Sequence, residues 1–301
     1  MKSDENLAAI HAYLCADGYV IKSKNPKYKY FHIGFRNTNL ILLRDFQEKF
    51  EKVFGIKPYL IEGQRCRIGS KEIYEKLTNG FGSFYSWEWK MLRLNKELLK
   101  VWLRAYFDCE SWVTCKSHQN RQIGIDCVNK KGINQIKQAL DKFNIKSFVK
   151  KRNTRNIFSL KIYGKENLIR FQKEIYFLHP DKKEKLKKAI EDFVEYDWKY
   201  PDRENDLENF IKEILKLKAK IKKDNGVIRI ISKLESNLTR LQKELNRLFG
   251  VESKVNKRIN GIGTIYFELN VNKQNQVKLF IDNNLINNQE KEKWLMLKSR
   301  K

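Results

Sequence analysis

Two apolar stretches of the chain share one pattern of large, small and acidic residues. Residues 10–18 read IHAYLCADG, and residues 103–111 read LRAYFDCES. In each stretch, small residues stand at the third and seventh positions and an acidic residue stands at the eighth. Residues four apart lie on the same face of a helix, and small side chains allow a second helix to approach closely. The pattern therefore predicts two helices that pack face to face.

The acidic residue of each stretch lies at the same end of the predicted helix pair. These residues are Asp17 and Glu110, and close packing of the helices would make them neighbours. Two adjacent carboxylates repel each other unless a cation neutralises them, and their hard oxygen atoms suit Mg²⁺. The sequence predicts a Mg²⁺ site at this end, where Mn²⁺ can act as a substitute.

Downstream of each acidic helix, the same order of elements recurs, which is typical of an internal repeat. Period-two alternation predicts strands, and apolar residues at helical spacing predict helices. After Asp17 we expect two strands, a helix, a hairpin and a second helix, at 19–35, 43–54, around 62–63 and near 71–77. After Glu110 the same elements are expected at 112–127, 133–143, 148–162 and 166–175. The predicted fold class is α/β (α+β), with two pseudo-symmetric αββαββα halves.

Residues 201–301 repeat part of this order. A helix is predicted at 238–249, followed by a hairpin through Asn260 and Gly261, a strand and a helix near 276–283. The preceding charged stretch, 202–223, is predicted to be helical, but Lys223 stands where the other two copies have a small residue. We therefore expect a degenerate, basic binding unit here. The predicted domains are 1–95, 96–200 and 201–301.

The composition points to a polyanionic partner. The chain has 301 residues, with 62 Lys and Arg against 36 Asp and Glu, and a formal net charge of +26. Basic residues outnumber acidic ones in each third of the sequence, so no single tail explains the excess. Lys and Arg neutralise phosphates and release condensed counterions. No apolar stretch is long enough to cross a bilayer, so we expect a soluble, intracellular protein.

The two acidic motifs and their context resemble the LAGLIDADG homing endonuclease family over residues 1–195. A second mark of the family, a helix that runs into an apolar-Pro-x-Lys turn, is present as IYFLHPDKKEKL at 175–186. The resemblance implies a saddle-shaped sheet in the DNA major groove and a monomer with internal pseudo-two-fold symmetry. It implies divalent-metal-dependent cleavage of double-stranded DNA, in which Asp17, Glu110 and Lys182 are catalytic. The main-chain carbonyls of Ala16 and Cys109 are expected to contribute to the metal site.

Polar residues at alternate strand positions are the expected DNA contacts, because alternate residues share one sheet face. In the two halves they are Lys22, Lys24, Lys27, Lys29, His32, Arg36, Lys116, His118, Gln122, Lys150, Arg152 and Arg155. Two further residues, Asn39 and Lys130, follow the second strand of their halves. Family members often carry a polar or basic residue there, near the scissile phosphate.

The second motif departs from the family at Ser111, which replaces a glycine. Serine tolerates left-handed backbone angles less well than glycine, so this half-site is a candidate for binding without cutting. Two alternatives therefore stay open beside the DNA endonuclease. One is an inactive nucleic-acid-binding protein, such as a transcription factor or an RNA maturase, and the other is an endonuclease that cleaves RNA.

Overall fold

A computed structural model describes residues 4–23, 25, 27, 30–115, 121–152, 156–193, 196–222, 224–259 and 265–299. The chain divides into two compact units, residues 1–193 and 194–301, each with its own hydrophobic core. The two units are described separately below.

The first half of unit 1 consists of one antiparallel sheet and three helices. Its elements are α1 (Glu5–Cys15), β1 (Gly18–Lys22), β2 (Phe31–Arg36), α2 (Leu40–Phe54), β3 (Tyr59–Ile61), β4 (Arg65–Gly69) and α3 (Lys71–Phe81). The strand order is β1-β2-β4-β3, and each neighbouring pair is antiparallel.

The second half repeats this arrangement. Its elements are α4 (Lys96–Glu110), β5 (Ser111–Thr114), β6 (Gln122–Cys127), α5 (Lys130–Asp141), β7 (Ser147–Lys151), β8 (Phe158–Tyr163), α6 (Lys165–Glu174) and α7 (Pro180–Glu191). The strand order β5-β6-β8-β7 matches that of the first sheet. The predicted fold class, with repeated α/β units and antiparallel sheets, is confirmed.

Helices α1 and α4 pack closely against each other, as the small-residue spacing predicts. Ala12 and Ala105 are buried, at 0% and 1% exposure, and their small side chains let the two helices approach closely. The indole nitrogen of Trp102 donates a hydrogen bond to Nδ1 of His11 across the pair, at 3.0 Å. Burial of His11 lowers its pKa to about 3, so this ring accepts the bond in its neutral form.

Residues with special backbone preferences end the helices where the sequence predicts. Helix α2 ends at Gly55, which has φ +70°, and the chain leaves α5 through Asn144, which has φ +56°. Glycine and asparagine tolerate this left-handed conformation better than other residues. Each helix therefore stops before the hairpin that follows it.

Unit 2 contains a third sheet with the same strand order. Its elements are a 3-10 turn (Glu204–Asp206), α8 (Leu207–Lys218), β9 (Lys220–Ile221), β10 (Ile228–Ser232), α9 (Glu235–Phe249), β11 (Lys254–Ile259), β12 (Ile265–Val271), α10 (Gln274–Asp282) and α11 (Asn288–Lys298). The order β11-β12-β10-β9 is the order of the other sheets read from the opposite edge.

The helix predicted over 202–223 is wrong at its C-terminal end. Helix α8 stops at Lys218, and residues 220–221 form β9 instead. Ile221 pairs with Ile228 and both lie in the core of unit 2, so the sheet and its core override the helical spacing. Lys223 and the predicted hairpin turn at Asn260 and Gly261 lie outside the described residues.

Candidate metal and nucleic-acid site

The two motif acids lie at the C-terminal ends of the packed helices. Helix α1 ends at Cys15, so Asp17 stands in the turn before β1, whereas Glu110 is the last residue of α4. The side-chain amide of Asn37 donates to Oδ2 of Asp17 at 3.0 Å. Cys109 lowers the pKa of Asp17, so the end of α4 lies close to the turn after α1.

The protonation of the two acids reflects their shared surroundings. Burial raises the pKa of Glu110 to about 7, and the charge of Asp17 adds to this rise. Burial also raises the pKa of Asp17, against the opposing effects of Asn37 and the Lys182 ammonium. A carboxylate is destabilised by loss of solvent and by a like charge nearby. The site therefore concentrates negative charge where water does not screen it.

Lys182 lies beside this pair. Its Nζ donates to three main-chain carbonyls at the end of α4, those of Phe107 at 3.3 Å, Asp108 at 2.7 Å and Cys109 at 3.1 Å. Burial lowers the pKa of Lys182, and the surrounding negative groups oppose that shift. The ammonium therefore caps the negative end of the α4 dipole as well as facing the motif acids.

Asp108 fixes the position of Lys182. Its buried carboxylate accepts hydrogen bonds from the backbone N–H of Leu178 at 3.0 Å and of His179 at 3.0 Å. These donors lie immediately before Pro180, where α7 begins, so the bonds hold the start of α7 against the end of α4. Burial raises the pKa of Asp108 to about 6, against the effect of these N–H groups.

The residues at this site fit a divalent cation in part. Asp17 and Glu110 supply hard oxygen ligands, and their mutual repulsion falls when a cation binds. The carbonyl of Cys109 accepts a hydrogen bond from Nζ of Lys182 and keeps a second lone pair. The metal roles expected for this carbonyl and for that of Ala16 stay predictions. Among the described residues, no group of three or more His, Cys, Asp and Glu side chains forms a metal cluster. A cation here would rest on two carboxylates, with water and a phosphate as the remaining ligands.

The expectation that the last motif position needs left-handed backbone angles is wrong. Ser111 has φ −89° and begins β5. Gly18, at the same position of the first motif, does not have a positive φ either. A Cβ at Gly18 would lie 2.4 Å from Cα of Leu14, so the first motif needs glycine for space. At the second motif, Oγ of Ser111 donates to the Phe107 carbonyl at 2.6 Å. The serine therefore fits its local backbone without strain.

One face of the first sheet carries a row of aromatic and basic residues. Tyr19, Gly34 and Arg67 are cross-strand neighbours on the face opposite the core. The Tyr19 ring lies over Gly34, where a Cβ would be 2.4 Å from the Tyr19 hydroxyl oxygen, and the guanidinium of Arg36 lies 5.2 Å from the ring centroid. Our sequence reasoning missed Arg65 and Arg67, although alternation along RCRIG marks both.

The second sheet is built in the same way. The Trp112 ring lies over Gly124, and Nζ of Lys161 is 5.8 Å from the ring centroid. Arg152 forms an ion pair with Asp126, and the side chain of Arg152 remains 47% exposed. An aromatic residue two positions after the motif acid, above a glycine of the next strand, is the signal that both halves share.

The predicted contact residues fall into three groups. Five lie on or at the end of strands, on the face opposite the core: His32, Arg36, Gln122, Lys150 and Arg152. Lys22 shares the other face with Val20, and Lys27 is exposed in the turn after β1. Five lie outside the described residues: Lys24, Lys29, Lys116, His118 and Arg155.

The two residues expected near a scissile phosphate also have local contacts, and their role at a phosphate stays a prediction. The side-chain oxygen of Asn39 caps α2 by accepting from the backbone N–H of Ile41 and of Leu42. Lys130 is the first residue of α5, and its Nζ lies 6.0 Å from the centroid of the Phe158 ring. Asn37, which contacts Asp17, is the polar residue after β2 that reaches the acidic pair.

Comparison with curated proteins found partial matches. The chain is 26% identical over 210 residues to a glutamine–fructose-6-phosphate aminotransferase of Methanocaldococcus jannaschii, covering 64% of this chain and 18% of that protein. It is 26% identical over 195 residues to the replication factor C small subunit of Thermococcus kodakarensis, covering 62% and 21%. The chain thus spans about a fifth of the length of these relatives.

Within the described residues, no helix is both long and apolar enough to span a membrane.

Comparison with solved structures found partial matches to two homing endonucleases solved with DNA and to a further LAGLIDADG domain. The homing endonuclease I-DmoI with DNA and Ca matches at 16% identity and a TM-score of 0.46, covering 60% of this chain and 98% of that one. I-WcaI bound to its DNA recognition sequence matches at 17% and 0.43, covering 61% and 86%. The N-terminal LAGLIDADG domain of WhiA matches at 14% and 0.39, covering 57% and 82%.

The family assignment rests on a sequence model. The model of the LAGLIDADG-like domain matches the chain twice, over residues 4–101 and 97–176. Each match contains one acidic motif helix and the sheet that follows it. Together the two matches cover more than half of the chain, which therefore belongs to the LAGLIDADG-like domain family.

Proposed function

We propose that this protein is a site-specific, Mg²⁺-dependent endonuclease that hydrolyses phosphodiester bonds in double-stranded DNA. The observation that carries the proposal is the position of Asp17 and Glu110 at the C-terminal ends of the packed helices α1 and α4, where Lys182 contacts the end of α4. Because one chain supplies both acids, the protein acts as a monomer. Relatives solved with DNA and with Mn or Mg support the choice of partner and ion.

The side chains at this site match the needs of phosphodiester hydrolysis. A divalent cation held by Asp17 and Glu110 would lower the pKa of an attacking water and stabilise the leaving oxygen. Lys182 places a positive charge where negative charge develops on the phosphate. Asn37 orients the Asp17 carboxylate, and Asp108 orients Lys182 through the start of α7. Arg36, Arg67 and Lys161, on the sheet faces opposite the core, would neutralise flanking phosphates.

The experiment begins with a randomised duplex library, because the target is unknown. Duplexes that bind the protein are selected in EDTA and then incubated with Mg²⁺, and the ends that form are sequenced. We expect cuts at one sequence. The variants Asp17→Asn and Glu110→Gln should each bind the selected duplex and cut it at least about 100-fold more slowly, because each removes a ligand charge.

A matched pair of variants controls for loss of surface charge. Asp141→Asn and Glu62→Gln remove acids that are 50% and 67% exposed and lie in ion pairs on the surface. Both should cut at the wild-type rate. Cutting at the wild-type rate by an Asp17→Asn/Glu110→Gln double variant would exclude this site as the catalytic centre.

One observation favours a second candidate, a DNA-binding protein without nuclease activity. Lys182 already donates to three carbonyls, and one of them belongs to Cys109, which was expected to face the metal. In this case the selection yields a bound sequence, but no new ends form in Mg²⁺ or Mn²⁺. An RNA-cleaving enzyme would use the same acids, and it would cut a structured RNA library and leave the duplex DNA intact.

A further inference from the structure

The sheet of unit 2 has one apolar and one polar face. Ile228 and Ile230 of β10 and Leu269 and Val271 of β12 point into the core of the unit. Helices α9 and α10 contribute their apolar residues to the same core, so they cover that face. Because strand residues alternate, the intervening residues lie on the opposite face.

Basic residues predominate on the opposite face. Arg229, Lys254 and Arg258 lie on β10 and β11, and the one acid among them is Glu268 of β12. Glu268 is 4% exposed and accepts from Nη1 of Arg229 and from Nε of Arg258, each at 3.2 Å. A single buried carboxylate thus orients two guanidinium groups, and the side chain of Arg258 remains 51% exposed. The face has an excess of positive charge.

The β11–β12 ribbon ends in exposed residues of mixed character. Arg258 pairs with Tyr266 across the ribbon, and Ile259 pairs with Ile265 at its last described position. The two isoleucines are 66% and 45% exposed. Alternation places these isoleucines on the other side of the ribbon from Arg258. A ribbon end that carries both exposed apolar side chains and a guanidinium group suits the DNA major groove, where thymine methyl groups adjoin hydrogen-bond acceptors and phosphates.

We infer that this face of unit 2, with the β11–β12 ribbon, is a second surface that binds duplex DNA. A two-stranded ribbon fits the major groove of B-form DNA, whereas the major groove of A-form RNA is too narrow and deep for side chains to read. The positive face complements the phosphate backbone. The inference rests on the proposed DNA partner but does not depend on cleavage.

The test measures the salt dependence of binding by the full chain in EDTA. The probe is a fluorescent random-sequence duplex of about 40 base pairs, titrated at several KCl concentrations, and each phosphate contact contributes about 0.9 to the slope of log K against log[salt]. The variant Lys254→Gln/Arg258→Gln should lower the slope by about 1.8, and Lys254→Gln alone should lower it by about 0.9.

The control removes two charges from the helical side of the same unit. Lys243 of α9 and Lys278 of α10 are exposed on the solvent sides of helices that cover the apolar face. The Lys243→Gln/Lys278→Gln variant should keep the wild-type slope. Equal slopes for the sheet-face and control variants would overturn the inference, as would a change seen only with an RNA duplex. Failure of the wild type to bind DNA would instead contradict the proposed function.

Discussion

At the scale of single residues, the proposed catalytic lysine also has a structural role. Lys182 caps the end of α4, and Asp108 holds the turn that places it there. The same contacts that stabilise the turn thus aim the ammonium at the acidic pair. A substitution of Lys182 is therefore expected to affect both cleavage and stability.

Replacement of Lys182 should therefore slow cleavage strongly and weaken the fold only slightly. We expect Lys182→Met to lower kcat by about 100-fold, because the site loses a charge that stabilises the transition state. The free energy of unfolding should fall by about 1–2 kcal/mol, the effect of losing a charged helix cap. Lys183→Met, which changes an exposed neighbour on α7, should leave both quantities unchanged. Wild-type kcat in Lys182→Met would refute the catalytic role.

His11 should make stability depend on pH. The buried ring stays neutral down to a pKa of about 3, whereas its ordinary value is 6.5. Between these values the unfolded chain binds a proton that the native protein excludes, so native stability falls as the pH drops, by about 1.4 kcal/mol per pH unit. His11→Gln keeps an acceptor for Trp102 but does not titrate.

Denaturant unfolding of both proteins at pH values from about 7 to 4 isolates this effect. The difference in stability between wild type and His11→Gln should shift against the wild type as the pH falls. A constant difference would show that the native protein protonates His11 readily.

Single residues also show what the sequence alone reveals of the site. The four-residue spacing of small side chains identifies Asp17 and Glu110, because it depends only on helical geometry. The contact between Asn37 and Asp17 could not be predicted in this way, because it forms only when β2 pairs alongside β1. The hydrogen bond that the Asp108 carboxylate accepts from the backbone N–H of Leu178 joins residues 70 positions apart in the chain. No local pattern encodes them.

At the scale of elements, each half of unit 1 places an aromatic ring over a strand glycine. Tyr19 covers Gly34 in the first sheet, and Trp112 covers Gly124 in the second. The glycine leaves room for the ring, and a neighbouring cation lies 5.2 Å from the ring centroid in the first sheet and 5.8 Å in the second. The sheets thus share a local structure next to the acidic site.

A methyl group at Gly124 should disturb this arrangement. Its Cβ would lie 2.2 Å from Cζ2 of Trp112, so the ring must move. We expect Gly124→Ala to lower the free energy of unfolding by about 1–3 kcal/mol. Gly80→Ala is the matched control, because that Cβ in α3 meets nothing within 4 Å and should add about 0.5–1 kcal/mol by favouring the helix. Thermal denaturation checks both, and equal melting temperatures would contradict the packing argument.

The sequence predicts most elements well, because glycine and asparagine mark helix ends and alternation marks strands. Gly55 and Gly250 both end helices with left-handed angles, as expected. The β9 strand is one exception, because its stretch has helical spacing and only pairing with β10 makes it extended. The helical preference of this stretch is overridden because pairing in the sheet buries Ile221 in the core of unit 2.

At the scale of the whole molecule, a strongly basic chain carries an acidic centre. The net charge of +26 suits a polyanion, whereas Asp17 and Glu110 concentrate negative charge at one place within unit 1. A nucleic acid would be held by the basic sheets and cut only where a cation relieves the repulsion at the acids. The central claim is therefore that these two carboxylates hold one divalent cation.

Titration with Mn²⁺, followed by electron paramagnetic resonance, tests this claim most directly. The titration is done at a pH of about 8, because Glu110 is ionised above its pKa of about 7. The wild type and the Asp141→Asn/Glu62→Gln control should both bind Mn²⁺, and the Asp17→Asn/Glu110→Gln variant should lose this binding. If the variant without both motif acids binds Mn²⁺ as the wild type does, or if the wild type binds none, the claim is contradicted.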